Sequence, residues 1–320
     1  MMTSRPVVAV IGEALVDIVD TGDGATFTAH VGGSPLNVAA GLARLGEPTA
    51  FMGRFSNDSL GRVLRRYAER AGLNLDGSPN AGEPSTIALV HLDTAGVATY
   101  DFTIDGTADW AWSAAELSRM PDSVRVLHLG SLTSWLAPGA AVVGAFADDL
   151  FHDGATVISY DPNVRPGLLV NPDSARPLIE ARVRATHLVK ASAEDVGWLY
   201  PDRTPSAVAS AWHALGAKLV VITNGGEGAS VWTAAGVELT RPALAVEVVD
   251  TVGAGDAFTS GFIDGLLRAG VDHPAALDAV LGDAALIGRL IERAAAVSGL
   301  TCSRAGANPP TADEVDAIIR

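Results

Sequence analysis

Cysteine, lysine and long apolar runs are all scarce in this chain of 320 residues. Its one cysteine, Cys302, leaves no intrachain disulfide and fits a reducing compartment, so a cytoplasmic location is expected. Only two lysines are present, Lys190 and Lys218, and neither closes the Gly-x-x-x-x-Gly-Lys-Ser/Thr loop that a P-loop kinase needs. The Gly-x-Gly-x-x-Gly that follows a strand in dinucleotide-binding folds is missing too. The seven histidines are scattered without the spacing of a metal site. No apolar run approaches the length of a bilayer span, and the first, over residues 7–11, is too short for a signal-peptide core. Positive charge is in deficit: 22 Lys and Arg stand against 37 Asp and Glu, a net charge of -15. Nucleic acid and anionic membrane therefore make poor partners, because both need a positive field. A phosphate ligand stays compatible, since local backbone amides and Mg2+ outweigh a distant acidic surface.

What the chain does have is apolar content, 48% of its residues, and a length that buries a core without disulfides. The β-branched run over 7–11 ends in Gly12 and reads as a buried parallel strand. Strands over 15–19 and 26–31 flank Gly22-Asp23-Gly24 as a hairpin, and a helix over 36–45 closes at Gly46. A strand over 49–53 and a helix over 60–71 follow. Residues 75–112 differ: alternation and polar turns predict antiparallel strands over 86–92 and 97–104 around Asp93-Thr94-Ala95-Gly96, outside the main sheet. From residue 113 onward helix and strand alternate, with strands over 124–129, 155–160, 186–189 and 218–223 and a hairpin over 229–240. Helices are expected over 138–151, 173–184, 206–215, 253–269, 275–297 and 312–319. Such alternation implies a mostly parallel sheet covered on both faces.

Two stretches carry chemistry. In the first, residues 246–249 read as a strand leading into Asp250-Thr251-Val252-Gly253-Ala254-Gly255-Asp256, and Phe258, Gly261, Phe262 and Gly265 follow at helical spacing. The unpaired amides of a first helical turn carry partial positive charge, and glycines let an anion approach closely. A carboxylate in that turn would repel a phosphate unless it serves as base for an attacking hydroxyl. The plainer alternative is a Gly-rich turn whose Asp stabilises the helix start, and spacing alone leaves both open. The second stretch is Gly32-Gly33-Ser34-Pro35-Leu36-Asn37 before a helix, where two glycines admit a ligand to the backbone and Asn37 offers both donor and acceptor.

Together these stretches resemble the paired fingerprints of the ribokinase-like (PfkB) carbohydrate kinases, and the resemblance runs along nearly the whole chain. Gly12-Glu13-Ala14-Leu15-Val16-Asp17 is similar to the opening strand of that family. Asp58-x-x-Gly61, Asp161-Pro162-Asn163-Val164-Arg165, Thr223-x-Gly225-x-x-Gly228 and Cys302-Ser303-Arg304-x-Gly306-Ala307 resemble further motifs of it. The implied fold is a three-layer α/β/α kinase domain over 1–320, with a small β-strand lid from about 15–31 and 75–112. The implied chemistry is transfer of the ATP γ-phosphate to a sugar hydroxyl. Asp256 would be the base and Gly253, Ala254 and Gly255 the anion hole. Asp17, Gly32, Gly33, Asn37 and Arg165 would face the sugar. Lys190, Ser192, Thr223, Gly225, Gly228 and Asn308, with Gly253 and Gly255, would hold the nucleotide. Lys190-Ala191-Ser192-Ala193-Glu194-Asp195 stands where relatives carry Asn-x-x-Glu, so Glu194 or Asp195 would order Mg2+ through water; equally, Ser192 could cap a helix supported by those acids. Asp250 and the carbonyl of Val252 would bind K+. The segment from Tyr100 to Trp110, His128-Leu129-Gly130-Ser131 and Pro309-Pro310 resemble bacterial fructokinases, which points to fructose 6-phosphorylation. 2-Keto-3-deoxygluconate and ribose remain alternative substrates, and a sugar-binding regulatory protein is the non-enzyme alternative. The resemblance also implies a homodimer through the lid. The tryptophans read as packing residues, with Trp110 and Trp112 close enough to the lid to meet substrate, and Cys302 reads as a packed small side chain.

Overall fold

The computed structural model describes residues 7–20, 25–92 and 98–319. An eight-stranded sheet forms its centre. Across the sheet the strands are Glu238–Arg241, Ala229–Thr233, Leu219–Thr223, Leu188–Ser192, Val157–Asp161, Val126–Gly130, Val8–Ile11 and Thr49–Met52. The last six are parallel, and the first two form an antiparallel hairpin on the edge. Every residue of Val8–Ile11, Val126–Gly130 and Val157–Asp161 is buried. Their side chains divide by the two-residue period of a strand: Ala9 and Ile11 enter one hydrophobic core with Ile158 and Tyr160, while Val8 and Val10 enter the other with Val157. Each face is thus roofed by helices: the covered, mostly parallel sheet that the alternation implies is present, in the three layers that the resemblance implies.

A four-stranded sheet stands apart, in the order Phe27–Gly32, Leu15–Asp20, Ile87–Leu92, Ala98–Thr103. It consists of two antiparallel hairpins joined by a parallel pairing of Val16 with Ile87. The two turns expected at 22–24 and 93–96 lie wholly or in part outside the described residues. This sheet is narrower than the 75–112 segment suggested. Asn74 bridges to Ala50, and Asn80–Ala81 pairs with Phe55–Ser56, so that stretch lies along the body. Trp110 and Trp112 are 3% and 5% exposed and belong to the main core with Leu117 and Val143, which corrects the expectation that they approach substrate.

Two further elements differ from the sequence reading. Residues 246–249 form no strand; they are an irregular segment after Glu238–Arg241. The helix expected over 275–297 is two helices, Pro274–Val280 and Ala284–Cys302. Asp283 separates them by capping the second, its side chain accepting from the Leu286 amide.

Candidate active site

The carboxyl ends of the parallel strands converge on one crevice, the usual location of a ligand in an open α/β sheet. Asp161, Ser192 and Thr223 are the last residues of three adjacent strands. The helix Ala254–Arg268 starts beside them. Its N-cap is Gly253, with φ 75° in the left-handed region that glycine tolerates. A Cβ at Gly253 would lie 2.7 Å from the Cβ of Ala307. The Ala254 amide donates to the Thr251 carbonyl at 3.2 Å, so of the expected anion hole this amide is turned back into its own loop. Gly255 opens towards Lys190, whose Nζ would sit 3.0 Å from a Cβ placed there.

Asp256 occupies the first turn of this helix. The Ser34 hydroxyl donates to its Oδ1 at 2.6 Å, and Asn37 Nδ2 donates to its Oδ2 at 2.9 Å. Both donors belong to the first turn of the helix Ser34–Arg44. Burial pushes the Asp256 carboxyl above the ordinary range, against the lowering effects of Ser34, Asn37 and the Lys190 ammonium.

Three cavities surround this point, and Thr251 lines all of them. The first, about 280 Å3, contains Asp256 together with Asp17, Gly33, Asn37, Phe102 and Arg165. Gly32 and Gly33 make room for it: a side chain on Gly32 would collide with the Asp17 carboxylate, and one on Gly33, at φ 106°, would lie 2.5 Å from the Glu13 carbonyl. Burial pushes the Asp17 carboxyl up to about 6, with Arg165 and His30 acting in the opposite sense. The lining of carboxylates, amide and guanidinium suits a ligand rich in hydroxyls.

A second cavity, about 420 Å3, is lined by Arg165, Lys190, Ser192, Glu194, Asp195 and Gly255, with Thr223 and Gly225 at its border. The Lys190 ammonium is held 2.8 Å from Asp161 Oδ2, with both side chains largely buried. Arg165 lines this cavity as well as the first, so two cations flank the passage between them. Ser192 and Asp195 form a reciprocal capping box on the helix Ala193–Leu199. Asp195 is buried and also accepts from the Val164 amide at 2.9 Å. The capping alternative is therefore realised for this pair, and Glu194, which is exposed and lines the cavity, is the carboxylate free of backbone duty.

The third cavity, about 230 Å3, is mainly apolar, with Leu244, Val246, Val248, Phe258 and Ala295 in its wall. Thr223, Gly225 and Gly228 form the rim shared with the loop after Leu219–Thr223. Gly228, at φ 106°, lies so close to the Arg241 carbonyl that any side chain would clash. Half-buried Cys302 is part of this wall, and burial followed by the Asp250 charge pushes its thiol up, which keeps it an unreactive thiol. An apolar slot beside a polar cavity that carries Arg165 and Lys190 fits a flat base joined to a polyphosphate.

Some expected residues sit elsewhere. Asn308 is exposed on the loop beyond Ala284–Cys302, its amide donating to the Gly306 carbonyl. Asp250 spans its own loop and the C-terminal segment, its Oδ1 accepting from Val252 N at 3.0 Å and its Oδ2 from Gly306 N at 2.8 Å. Asp58 caps Ser59–Arg70 through Gly61 and holds Ser85 at the foot of the smaller sheet, so the Asp-x-x-Gly match is structural. Among the described residues no cluster of three or more His, Cys, Asp or Glu is placed to hold a metal directly, and no helix is long and apolar enough to cross a membrane.

Three residues of the crevice were not singled out from the sequence. Glu13 lines the first cavity, buried and accepting from the amide and hydroxyl of Thr133; burial pushes its carboxyl up. Ser34 touches Asp256, and Asn163 supplies Oδ1 to Arg165 Nη1 at 2.7 Å. Ser34 had a visible signal, a hydroxyl directly after two glycines at a helix start; Glu13 stood in the stretch from Gly12 to Asp17 that resembles the family's opening strand, but nothing there gave it a role of its own.

The pfkB family carbohydrate kinase model matches residues 6–314. Among curated proteins, a fructokinase of Rhizobium leguminosarum bv. trifolii is 39% identical over 260 residues, spanning 80% of this chain and 78% of that protein. A fructokinase of Klebsiella pneumoniae is 31% identical over 272 residues, spanning 84% and 87% respectively. Among solved structures, a fructokinase with bound ATP from Xylella fastidiosa superposes with a TM-score of 0.89 at 27% identity, covering 98% of this chain and 97% of that one.

Proposed function

The chain belongs to the pfkB family of carbohydrate kinases, and from that premise we propose that it transfers the γ-phosphate of ATP to fructose, forming fructose 6-phosphate. The observation that carries this reading is the position of Asp256, on the wall of the hydroxyl-binding cavity and one residue from Gly255, which lines both the polar and the apolar cavity.

The sugar is held by Asp17, Asn37 and Arg165, with Gly32 and Gly33 giving it access to the backbone. Asp256 accepts the proton of the attacking hydroxyl as the oxygen approaches phosphorus. Arg165 and Lys190 face the charge that builds on the transferring phosphoryl group, together with the Gly253 and Gly255 amides. Leu244, Val248 and Phe258 hold the adenine, and Thr223, Gly225 and Gly228 border its ribose and phosphates. Mg2+ would supply charge neutralisation for the phosphates; Glu194, exposed in the polar cavity, would hold it through water with its carboxylate oxygens, with Ser192 and Asp195 adjacent. K+ at Asp250 and the Val252 carbonyl belongs to the same proposal, and activity unchanged in K+-free buffer removes it. The four-stranded sheet serves as the lid: it contributes Asp17 and Phe102 and keeps water from competing for the phosphoryl group. Exposed Phe27 and Leu89 on that sheet support pairing of two copies through it, which light scattering tests. A single cysteine fits a cytoplasmic site of action.

Turnover on a panel of sugars with MgATP tests the whole reading. Fructose is expected to give the highest kcat/KM, ahead of ribose and 2-keto-3-deoxygluconate. A different leader changes the substrate, and binding without turnover on every sugar removes the kinase assignment.

A further inference from the structure

The role of the Asp256 contacts goes beyond binding. We propose that Ser34 is a positioning residue for Asp256: its hydroxyl fixes one carboxylate oxygen so that the carboxylate presents its remaining lone pairs to the sugar hydroxyl. The inference rests on the kinase reading given above.

A carboxylate offers about four lone-pair directions on its two oxygens. Here two are taken, one by Ser34 at 2.6 Å and one by Asn37 at 2.9 Å. With both oxygens held, rotation of the carboxylate about its side-chain bond is stopped, and the unused lone pairs face the cavity that Asp256 lines. The two donors are not equivalent. Asn37 Nδ2 donates only, whereas a hydroxyl oxygen both donates and accepts. Once Asp256 takes the sugar proton on a lone pair facing the cavity, the Ser34 hydroxyl can go on donating to Oδ1, so the contact survives both states of the base.

The donors have a firm footing. Ser34 is the first residue of its helix, locked by Pro35 next to it and by Gly33 before it. That helix abuts the one bearing Asp256 at Gly41, where a Cβ would lie 2.6 Å from Ser260 Oγ. The spacing between Ser34 and Asp256 is therefore set by backbone packing rather than by flexible side chains.

The electrostatics agree. Lys190 favours the ionised form of Asp256, while burial and Asp161 oppose it. Asp17, in the same cavity, interacts with Asp256 as a like charge, and Arg165 lies beside Asp17. Among the groups that keep Asp256 ionised, the Ser34 hydroxyl is the foremost. Removing it leaves Lys190, Asp161, Asp17 and Arg165 unchanged, so any shift in the titration of the base reports on Ser34.

The test compares wild type, Ser34→Ala and Ser34→Thr in kcat, in KM for sugar and for ATP, and in the pH profile of kcat/KM. A hydrogen bond to a charged group corresponds to about tenfold to a hundredfold in an equilibrium. Ser34→Ala should lower kcat by about that factor and move the acid limb of the profile up by roughly one pH unit or more. KM for ATP should stay within about threefold, and Ser34→Thr should restore the wild-type limb. An Ala variant whose acid limb coincides with wild type overturns the proposal, whatever its kcat, because a purely structural lesion lowers the amount of active enzyme without moving its titration. Should Ser34→Ala fail to fold, Ser34→Gly carries the same readout. Wild-type protein inactive on every sugar would instead remove the kinase reading, a result distinct from an unshifted variant of an active enzyme.

Discussion

Replacing Asp256 with Asn removes the proposed base and almost nothing else. The side chain keeps its shape, and its carbonyl oxygen can accept from Ser34 or Asn37, so one of two hydrogen bonds at 2.6 and 2.9 Å persists. Loss of a positioned base typically lowers turnover by about 10²–10⁴-fold, or roughly 3–5 kcal/mol of barrier. KM for ATP should not change, because Leu244, Val248 and the glycine rim of the nucleotide cavity are untouched. Stability supplies the control. Burial raises the Asp256 carboxyl in the folded state, so its ionisation opposes folding, and that cost grows as pH rises from the unfolded value through the raised one. The neutral Asn avoids it, so the variant should melt no lower than wild type at pH 8, with its relative advantage shrinking towards acid pH. A coupled assay for ADP, with calorimetry at both pH values, measures all of this. Turnover within about threefold of wild type, in a variant of normal Tm, would refute the role of Asp256.

Three further outcomes are expected. Asp17 titrates at about 6 in the fold, so KM for the sugar should rise as pH falls below that value while KM for ATP stays flat; a sugar KM constant from pH 5 to 8 removes Asp17 from sugar binding. Lys190→Met strands the buried Asp161 carboxylate, and breaking such a pair costs about 3–5 kcal/mol, so both a lower Tm and a higher KM for ATP should follow in melting and kinetic assays. Gly253→Ala puts a Cβ into left-handed backbone at about 1–2 kcal/mol and against Ala307, so kcat should fall more than sugar affinity does; unchanged kcat would show that the turn does not need its present shape.

The crevice was legible where a physical rule acts locally. Gly253-Ala254-Gly255-Asp256 announced a helix start with a charged turn, and the strand-ending position of Thr223 followed from the α/β alternation, while the strand expected over 155–160 stopped one residue short of Asp161. Residues 246–249 misled for a clear reason. Leu244, Val246 and Val248 alternate as they would in a strand, but their common face lines the apolar cavity proposed for the nucleotide, so the pattern faces a cavity where a sheet partner was expected. The break at 281–283 was masked by apolar spacing that continues across it, although Gly282 followed by Asp283 places a helix stop and a cap side by side. The Ser192–Asp195 box was visible as one of two readings, and the reciprocal bonds of the pair, with the Val164 amide on Asp195 from 31 residues away in sequence, decided between them. Ser34 is a longer-range case, since its place after two glycines marked a helix start but nothing near it in sequence showed the carboxylate it meets.

That range has a consequence for biosynthesis. The hydroxyl and the carboxylate it meets are 222 positions apart in the chain, and the strands between them build most of the central sheet. A ribosome delivering the polypeptide from its amino end must translate about four-fifths of the message before the two halves of the reaction centre can meet. Nascent fragments ending before that point would carry the hydroxyl-binding residues with no means of transferring phosphate, so premature chemistry on a half-made enzyme is ruled out by the order in which it is written.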